Sequence, residues 1–179
     1  MKDLTNRVAI VTGSSSGVGA ATARLLAAQG CHVVINYNSN AEGAEQVAED
    51  CKAAGAETLV LQANVAMDEA CVAMVQAASE KWGRVDVLVN NAGTTKFVDH
   101  SRLDGLSAED FQRIYSVNVV GAYQMTRAVS PLMQAQEEGG AVVNVASTAA
   151  STGIGSCVAY AASKGAMVTM TLSLARALG

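Results

Sequence analysis

The sequence has little of several features that mark particular classes of protein. Only one proline occurs in 179 residues, and no apolar run is long enough to cross a membrane. Charged residues make up 16% of the chain, with 12 Lys and Arg against 16 Asp and Glu, and no basic cluster stands out. These scarcities argue against a membrane span, and the slight negative charge gives no electrostatic reason to expect a nucleic-acid partner.

Cysteine is also scarce, and its placement is uninformative for metal binding. The four cysteines are scattered without the paired spacing of a zinc site, and only two histidines accompany them. We therefore expect reduced thiols in a cytoplasmic protein that holds no metal. The polar stretch Met1–Arg7 leads directly into an apolar segment, so we expect no secretory signal.

The main signal for the fold is an alternation of apolar runs with helical patterns. The runs that predict buried strands are Val8–Val11, Val33–Asn36, Thr58–Gln62, Val85–Val89 and Ala141–Val145. The segments that predict helices are Ala20–Gln29, Ala41–Ala54, Asp68–Trp82, Ala108–Gln136 and Val158–Leu178. This order predicts one domain, residues 1–179, of the α/β class: a three-layer, doubly wound Rossmann-type parallel sheet.

A glycine-rich loop follows the first predicted strand. The segment Thr12–Gly19 has the spacing G-x-x-x-G-x-G and leads into a helix. Glycines there would permit a sharp turn, close approach of the backbone to an anion, and close packing of helix on strand. The helix start would offer N–H groups to a pyrophosphate, although a purely structural turn explains the glycines too. The residues expected to contact a dinucleotide here are Gly13, Ser15, Ser16, Gly17, Val18 and Gly19.

The end of the second strand bears on the choice of cofactor. NAD enzymes usually have an acidic residue here to hold the ribose 2′-hydroxyl. This chain instead has Tyr37, Asn38 and Ser39, and the first carboxylate is that of Glu42. Neutral amide and hydroxyl groups can donate hydrogen bonds to a 2′-phosphate, so we expect NADP(H) to be favoured over NAD(H).

Tyr160 and Lys164 are four residues apart on a predicted helix and therefore share one face. Tyrosine is ordinarily a poor acid–base catalyst at neutral pH, and a neighbouring ammonium favours the phenolate. Ser147 is predicted to end the fifth strand, with its hydroxyl at the ligand-binding edge. Taken alone, the pair could equally be a packed tyrosine and a solvated lysine.

Taken together, these segments resemble the short-chain dehydrogenase/reductase family. The chain has the family's TGxxxGxG at Thr12–Gly19, its NNAG at Asn90–Gly93 and its YxxxK at Tyr160–Lys164. Asn118 lies in the long predicted helix, and Ser147 precedes the tyrosine by thirteen residues. The resemblance runs to the last residue and, among family members, is to 3-oxoacyl-[acyl-carrier-protein] reductases of fatty-acid synthesis.

The resemblance implies a role for each of four catalytic residues. Tyr160 would donate a proton to the carbonyl oxygen during reduction, and Ser147 would polarise that carbonyl. Lys164 would favour the phenolate and bind the nicotinamide ribose, which Tyr160 also approaches. Asn118 would hold a water that links Lys164 to solvent. Asn91, Ala92 and Gly93 would line the adenine ribose and pyrophosphate, while Asn64 and Val65 would flank the adenine, with Asn64 in place of the family's aspartate.

Three functions remain open from the sequence. The first is an NADPH-dependent reductase of a small-molecule carbonyl. The second is an NAD-dependent alcohol or sugar dehydrogenase of the same family, and the third is a dinucleotide-binding module without catalysis. The resemblance also implies a homodimer or homotetramer, and it leads us to expect that the family's last strands and substrate lid are absent from these 179 residues.

Overall fold

The most apolar segments of the chain form a five-stranded parallel sheet. The structure is a computed structural model that describes residues 4–179. The strands are β1 (Val8–Val11), β2 (His32–Tyr37), β3 (Thr58–Gln62), β4 (Val87–Asn90) and β5 (Ala141–Asn144), in the order β3-β2-β1-β4-β5. Every residue of β1 is buried, because this strand is central and helices cover both faces of the sheet.

Helices connect the strands and cover both faces of this sheet. They are α1 (Gly17–Ala28), α2 (Ala41–Ala53), α3 (Asp68–Trp82), α4 (Ala108–Tyr115), α5 (Ala122–Ala135), α6 (Ala149–Thr152) and α7 (Val158–Leu178). Helices α1 and α2 share one apolar cluster with the sheet, and α3 and α5 share a second cluster on the opposite face. The predicted class, a doubly wound Rossmann-type parallel sheet, is confirmed.

The topology fixes where a ligand can bind. From β1 the chain moves outward to β2 and β3, and then returns to place β4 on the other side of β1. Carboxyl-terminal loops diverge at such a reversal and leave a crevice between them. The loops after β1 and β4 therefore border the main crevice of this fold.

Several boundaries differ from the prediction. Helix α1 begins at Gly17, three residues before the predicted start, because glycines are poor helix formers and concealed the first turn. Strand β4 begins at Val87, and Val85 lies outside it because its N–H and carbonyl bond the Gln136 side chain instead of a neighbouring strand. Strand β5 ends at Asn144, so Ser147 lies three residues beyond the strand that it was predicted to end.

The long predicted helix is interrupted. Residues Ser116–Gly121 form a π-helical segment between α4 and α5, and Asn118 lies within it. A π-helical segment shifts the backbone hydrogen bonds by one residue and is frequent at functional sites. Within residues 4–179 no helix is long and apolar enough to cross a bilayer.

Candidate active site

A cleft of about 630 Å³ lies at the carboxyl ends of the strands. Segments that follow β1, β2, β3 and β4 line it, together with the last turn of α4 and the π-helical segment. The predicted cofactor residues that line it are Gly13, Ser15, Ser16, Asn38, Ser39, Asn64, Val65, Asn91, Ala92 and Gly93. These residues, predicted from the sequence, belong to four separate loops, and the fold brings the four loops together at one cleft.

The remaining predicted cofactor residues lie behind the cleft or beside it. Gly17, Val18 and Gly19 form the first turn of α1, directly after the lining residue Ser16. Tyr37 is half-buried and packs against the cluster beneath α1 and α2. It does not line the cleft.

Close packing accounts for two glycines of the loop. Gly13 has a φ of +63°, and a Cβ there would lie 2.9 Å from the Ala92 Cα. A Cβ on Gly19 would collide with the Asn91 side chain and would lie 2.5 Å from the Gly13 carbonyl oxygen. Glycine at these two positions lets the glycine loop and the start of α1 lie this close to the loop after β4.

A set of buried side chains that the sequence did not reveal fixes the same loop. The Asn36 Oδ1 accepts the Gly13 N–H at 3.0 Å, and the Ser14 hydroxyl donates to the Val11 carbonyl at 2.8 Å. The Thr12 hydroxyl oxygen accepts the N–H groups of both Asn91 and Ala92 at 3.0 Å. A polar residue inside an apolar strand, such as Asn36, is the signal that could have indicated this role.

Helix α1 presents its N-terminus to the cleft. Its N-cap, Ser16, makes no side-chain bond to the helix, and no acidic residue occupies the first turn. The first-turn N–H groups and the helix dipole therefore favour an anion at this point of the cleft.

Lys164 is buried at the inner end of the site. It is 4% exposed, and its Nζ donates to the Val145 carbonyl oxygen at 2.7 Å. Burial lowers the pKa of the Lys164 ammonium, because removal from water disfavours the charge. The Nζ lies 5.8 Å from the centre of the Tyr160 ring, so the predicted pair is together on one face of α7.

Asn118 joins the loop after β4 to α7. Its Oδ1 accepts the Thr94 N–H at 2.7 Å, and its Nδ2 lies 3.0 Å from both the Thr94 carbonyl oxygen and the Ser163 Oγ. The side chain is fully buried. The π-helical segment places this amide between α7 and the loop, which a regular helix register would not guarantee.

Gly93 is where the cleft meets these buried groups. A Cβ at this position would lie 3.4 Å from the Asn118 Oδ1 and 3.9 Å from the Lys164 Nζ. Because Gly93 also lines the cleft, the Lys164 ammonium lies just beyond its inner wall. Ser147 is half-buried in the loop before α6, where its Oγ accepts the Ala149 N–H at 3.1 Å. As an acceptor in this bond, the hydroxyl keeps its own proton for donation.

A charged cluster at the mouth of the cleft was missed by the sequence reasoning. Arg113 lines the cleft, and its Nη1 donates to the Thr94 hydroxyl at 3.2 Å. Its Nη2 lies 3.4 Å from Asp110, which Lys96 contacts at 2.6 Å. The Lys96 ammonium, with help from the Ser107 N–H, lowers the pKa of Asp110 to about 2.

The cleft has the features that a nicotinamide dinucleotide requires. It combines an open helix N-terminus, a glycine cradle that a Cβ would fill, and amide and hydroxyl groups in place of carboxylates. The residues of the described chain therefore fit such a cofactor. Within residues 4–179, no group of His, Cys, Asp and Glu is arranged to hold a metal ion.

Comparison with known proteins identifies one family of oxidoreductases. The family model described as short chain dehydrogenase matches residues 7–179. A 3-oxoacyl-[acyl-carrier-protein] reductase of Synechocystis sp. is 38% identical over 178 residues, which cover 99% of this chain and 70% of that protein. The Bacillus subtilis protein glucose 1-dehydrogenase 2 is 36% identical over 176 residues, covering 97% of this chain and 67% of that protein.

Solved structures also superpose closely on this chain. A Burkholderia xenovorans crystal structure described as a short-chain dehydrogenase/reductase superposes with a TM-score of 0.94 at 44% identity, over 97% of this chain and 72% of that one. An NAD+-bound xylitol dehydrogenase superposes with a TM-score of 0.91 at 32% identity, over 99% of this chain and 66% of that one.

These likenesses define the protein as an oxidoreductase with a nicotinamide-dinucleotide fold. The chain belongs to the short-chain dehydrogenase/reductase family. It spans about two thirds of the length of the relatives that it matches.

Proposed function

We propose that this protein reduces a small-molecule carbonyl to a hydroxyl, with NADPH as the preferred cofactor and Tyr160 as the proton donor. The observation that carries the proposal is the position of Lys164. Its Nζ is buried behind Gly93 at the inner end of the cleft and lies over the Tyr160 ring. An ammonium buried at this place can stabilise the phenolate of a tyrosine that gives up its proton.

The reaction divides between the cofactor and the chain. When bound, the reduced nicotinamide would supply the hydride that adds to the carbonyl carbon. The Ser147 hydroxyl donates a hydrogen bond to the carbonyl oxygen, and Tyr160 transfers its phenolic proton to that oxygen as negative charge develops. The resulting phenolate is stabilised by Lys164 and regains a proton from solvent, for which we expect a water held near Asn118 to be the route.

The remaining predicted contacts are part of the same proposal. Gly13, Ser15, Ser16 and the first turn of α1 would hold the pyrophosphate, and Asn91, Ala92 and Gly93 would lie under the ribose. Asn64 and Val65 would border the adenine. Assembly into a homodimer or homotetramer stays a prediction, and so does a cytoplasmic location of the protein.

The preference for NADPH rests on the end of β2. Asn38 and Ser39 line the cleft, and no carboxylate side chain lines it within residues 4–179. A carboxylate would repel a 2′-phosphate, whereas amide and hydroxyl donors can bind one. The 3-oxoacyl-[acyl-carrier-protein] reductase among the relatives suggests a 3-oxoacyl thioester as the substrate class.

A second candidate is an NAD-dependent dehydrogenase of alcohols or sugars. It is favoured by the likeness to the NAD+-bound xylitol dehydrogenase and to glucose 1-dehydrogenase 2. In the oxidation of an alcohol or sugar, Tyr160 would remove the proton of the substrate hydroxyl instead of donating a proton.

The two candidates differ in measurable cofactor use. We expect the purified protein to oxidise NADPH in the presence of an acetoacetyl thioester and to bind NADPH more tightly than NADH. Failure with that thioester, together with NADH-supported reduction of another carbonyl, would contradict the proposal. A clear preference for NADH in titration would overturn the interpretation of Asn38 and Ser39.

A further inference from the structure

The lining of the cleft carries a single charged side chain within residues 4–179, that of Arg113. All other lining side chains are neutral. A nicotinamide dinucleotide brings at least two negative charges on its diphosphate bridge. Helix N-termini offer only partial charges, so a full positive charge on the lining is the strongest anion-binding feature that the cleft has.

The local charges leave this guanidinium partly uncompensated. Arg113 and Lys96 share the single carboxylate of Asp110, and Lys96 makes the shorter contact, at 2.6 Å against 3.4 Å. Asp110 also accepts the Ser107 N–H in the capping box that begins α4. Glu109, one turn before Arg113 on α4, forms no ion pair with Arg113, whose carboxylate contact is with Asp110. Two cations therefore share the one carboxylate that either of them contacts, so the Arg113 guanidinium is incompletely paired.

The position of Arg113 on its helix directs it to the cofactor side. Val117 follows one turn later and also lines the cleft, and the next turn contains Gly121. A Cβ on Gly121 would collide with Val65, so this edge of the helix packs on the segment after β3. The Arg113 side chain is about half exposed and already contacts Thr94, beside Gly93.

We propose that Arg113 binds a phosphate of the cofactor's diphosphate bridge, across the cleft from the N-terminus of α1. This inference rests on the proposed function, because it assumes that the cleft holds a dinucleotide. Guanidinium presents paired N–H donors that match two phosphate oxygens, and it can turn from Asp110 because Lys96 keeps that carboxylate neutralised. Arg113 is then the one cation that the cleft lining within residues 4–179 offers to the diphosphate, in a cleft whose glycine loop contains no lysine or arginine.

Calorimetric titration with fragments of the cofactor tests this assignment. We expect Arg113→Gln to bind ADP roughly five- to twenty-fold more weakly than the unaltered protein, which is at the low end for a charged hydrogen bond because the side chain is about half exposed. Adenosine, which has no phosphate, should bind both proteins equally. NADH and NADPH should weaken by the same factor, since both contain the diphosphate bridge.

Two further variants separate binding from indirect effects. Arg102→Gln removes an exposed arginine that is paired with Asp104 and does not line the cleft, and it should leave ADP affinity unchanged. Thr94→Val removes the hydroxyl that Arg113 contacts, and it should also leave most of the ADP affinity.

The inference is overturned if Arg113→Gln binds ADP normally, or if Thr94→Val reproduces the whole loss. A loss confined to NADPH would also overturn it, because the guanidinium would then act on the 2′-phosphate. Absence of dinucleotide binding by the unaltered protein would instead contradict the proposed function, so the two failures are distinguishable.

Discussion

The Asn118 Nδ2 lies 3.0 Å from the Ser163 Oγ, and this bond ties the π-helical segment to the helix that carries Tyr160 and Lys164. The Ser163 hydroxyl in turn donates to the Tyr160 carbonyl oxygen at 2.7 Å. Ser163 is fully buried, and its side-chain hydrogen bonds go to the Asn118 amide and the Tyr160 backbone, not to the Tyr160 hydroxyl. It is therefore a positioning residue that sets how α7 lies against the loop after β4.

Ser163→Ala should weaken catalysis more than cofactor binding. The substitution leaves the buried Asn118 amide with Thr94 as its remaining partner, and an unsatisfied buried donor costs about 1–3 kcal/mol of folding free energy. We expect a lower kcat with an unchanged Kd for NADPH. Ser151→Ala is a matched control, since Ser151 lies on the exposed side of α6. Equal kcat values for the two variants would contradict a positioning role.

Lys164→Met should stabilise the fold while it removes activity. Burial lowers the pKa of Lys164 in the folded state, so the charged form opposes folding wherever the lysine is protonated. This cost is fully present below the pKa that Lys164 has in the folded state. It vanishes as the pH rises to the pKa that Lys164 has in the unfolded state. We expect the variant to have a higher free energy of unfolding at low and neutral pH, less the lost bond to Val145, with the gain shrinking as the pH rises.

Urea unfolding across a pH series measures this effect. Lys52→Met is the control, because Lys52 is exposed and its pKa is raised by hydrogen bonding to Glu49. A Lys164→Met variant that is less stable than the unaltered protein at every pH would show that the bond to Val145 outweighs the cost of burial.

Gly19→Ala should abolish dinucleotide binding. The added methyl would meet the Asn91 side chain and the Gly13 carbonyl oxygen, neither of which can move without opening the glycine loop. Gly165→Ala is a control in the middle of α7, where the nearest atom to the new methyl lies at 3.8 Å. We expect the control to keep its ADP affinity and to gain up to about 1 kcal/mol of stability from helix propensity. Normal ADP binding by Gly19→Ala would contradict the role of this close contact.

The sequence was sufficient for the sheet and for much of the cleft lining, for physical reasons. Buried parallel strands have continuous apolar runs, and β1 and β3 were predicted with the bounds that the structure has. Gly13 and Gly19 are needed because a Cβ at either position would be too close to neighbouring atoms. Such glycines can be recognised in the sequence by residue type alone.

What the sequence could not reveal depends on contacts between distant segments. Asn118 is paired with Thr94 and Ser163, which are 24 and 45 positions away, and no periodicity signals the π-helical segment that brings them together. Arg113 resembles an ordinary surface residue of an amphipathic helix until the fold places it on the cleft. Tyr37 follows the pattern of a cofactor contact because it ends β2, whereas in the structure it packs on an apolar cluster and does not line the cleft.

The central claim is that the chain's own phenol supplies the proton. Tyr160→Phe removes that hydroxyl and keeps the ring that packs beside Ile114 and Cys157. Steady-state oxidation of NADPH with an acetoacetyl thioester, measured beside NADPH affinity, gives the direct test. The account predicts that turnover falls by roughly 100-fold or more while the Kd for NADPH stays within about two-fold. Turnover that survives the loss of this hydroxyl would contradict it.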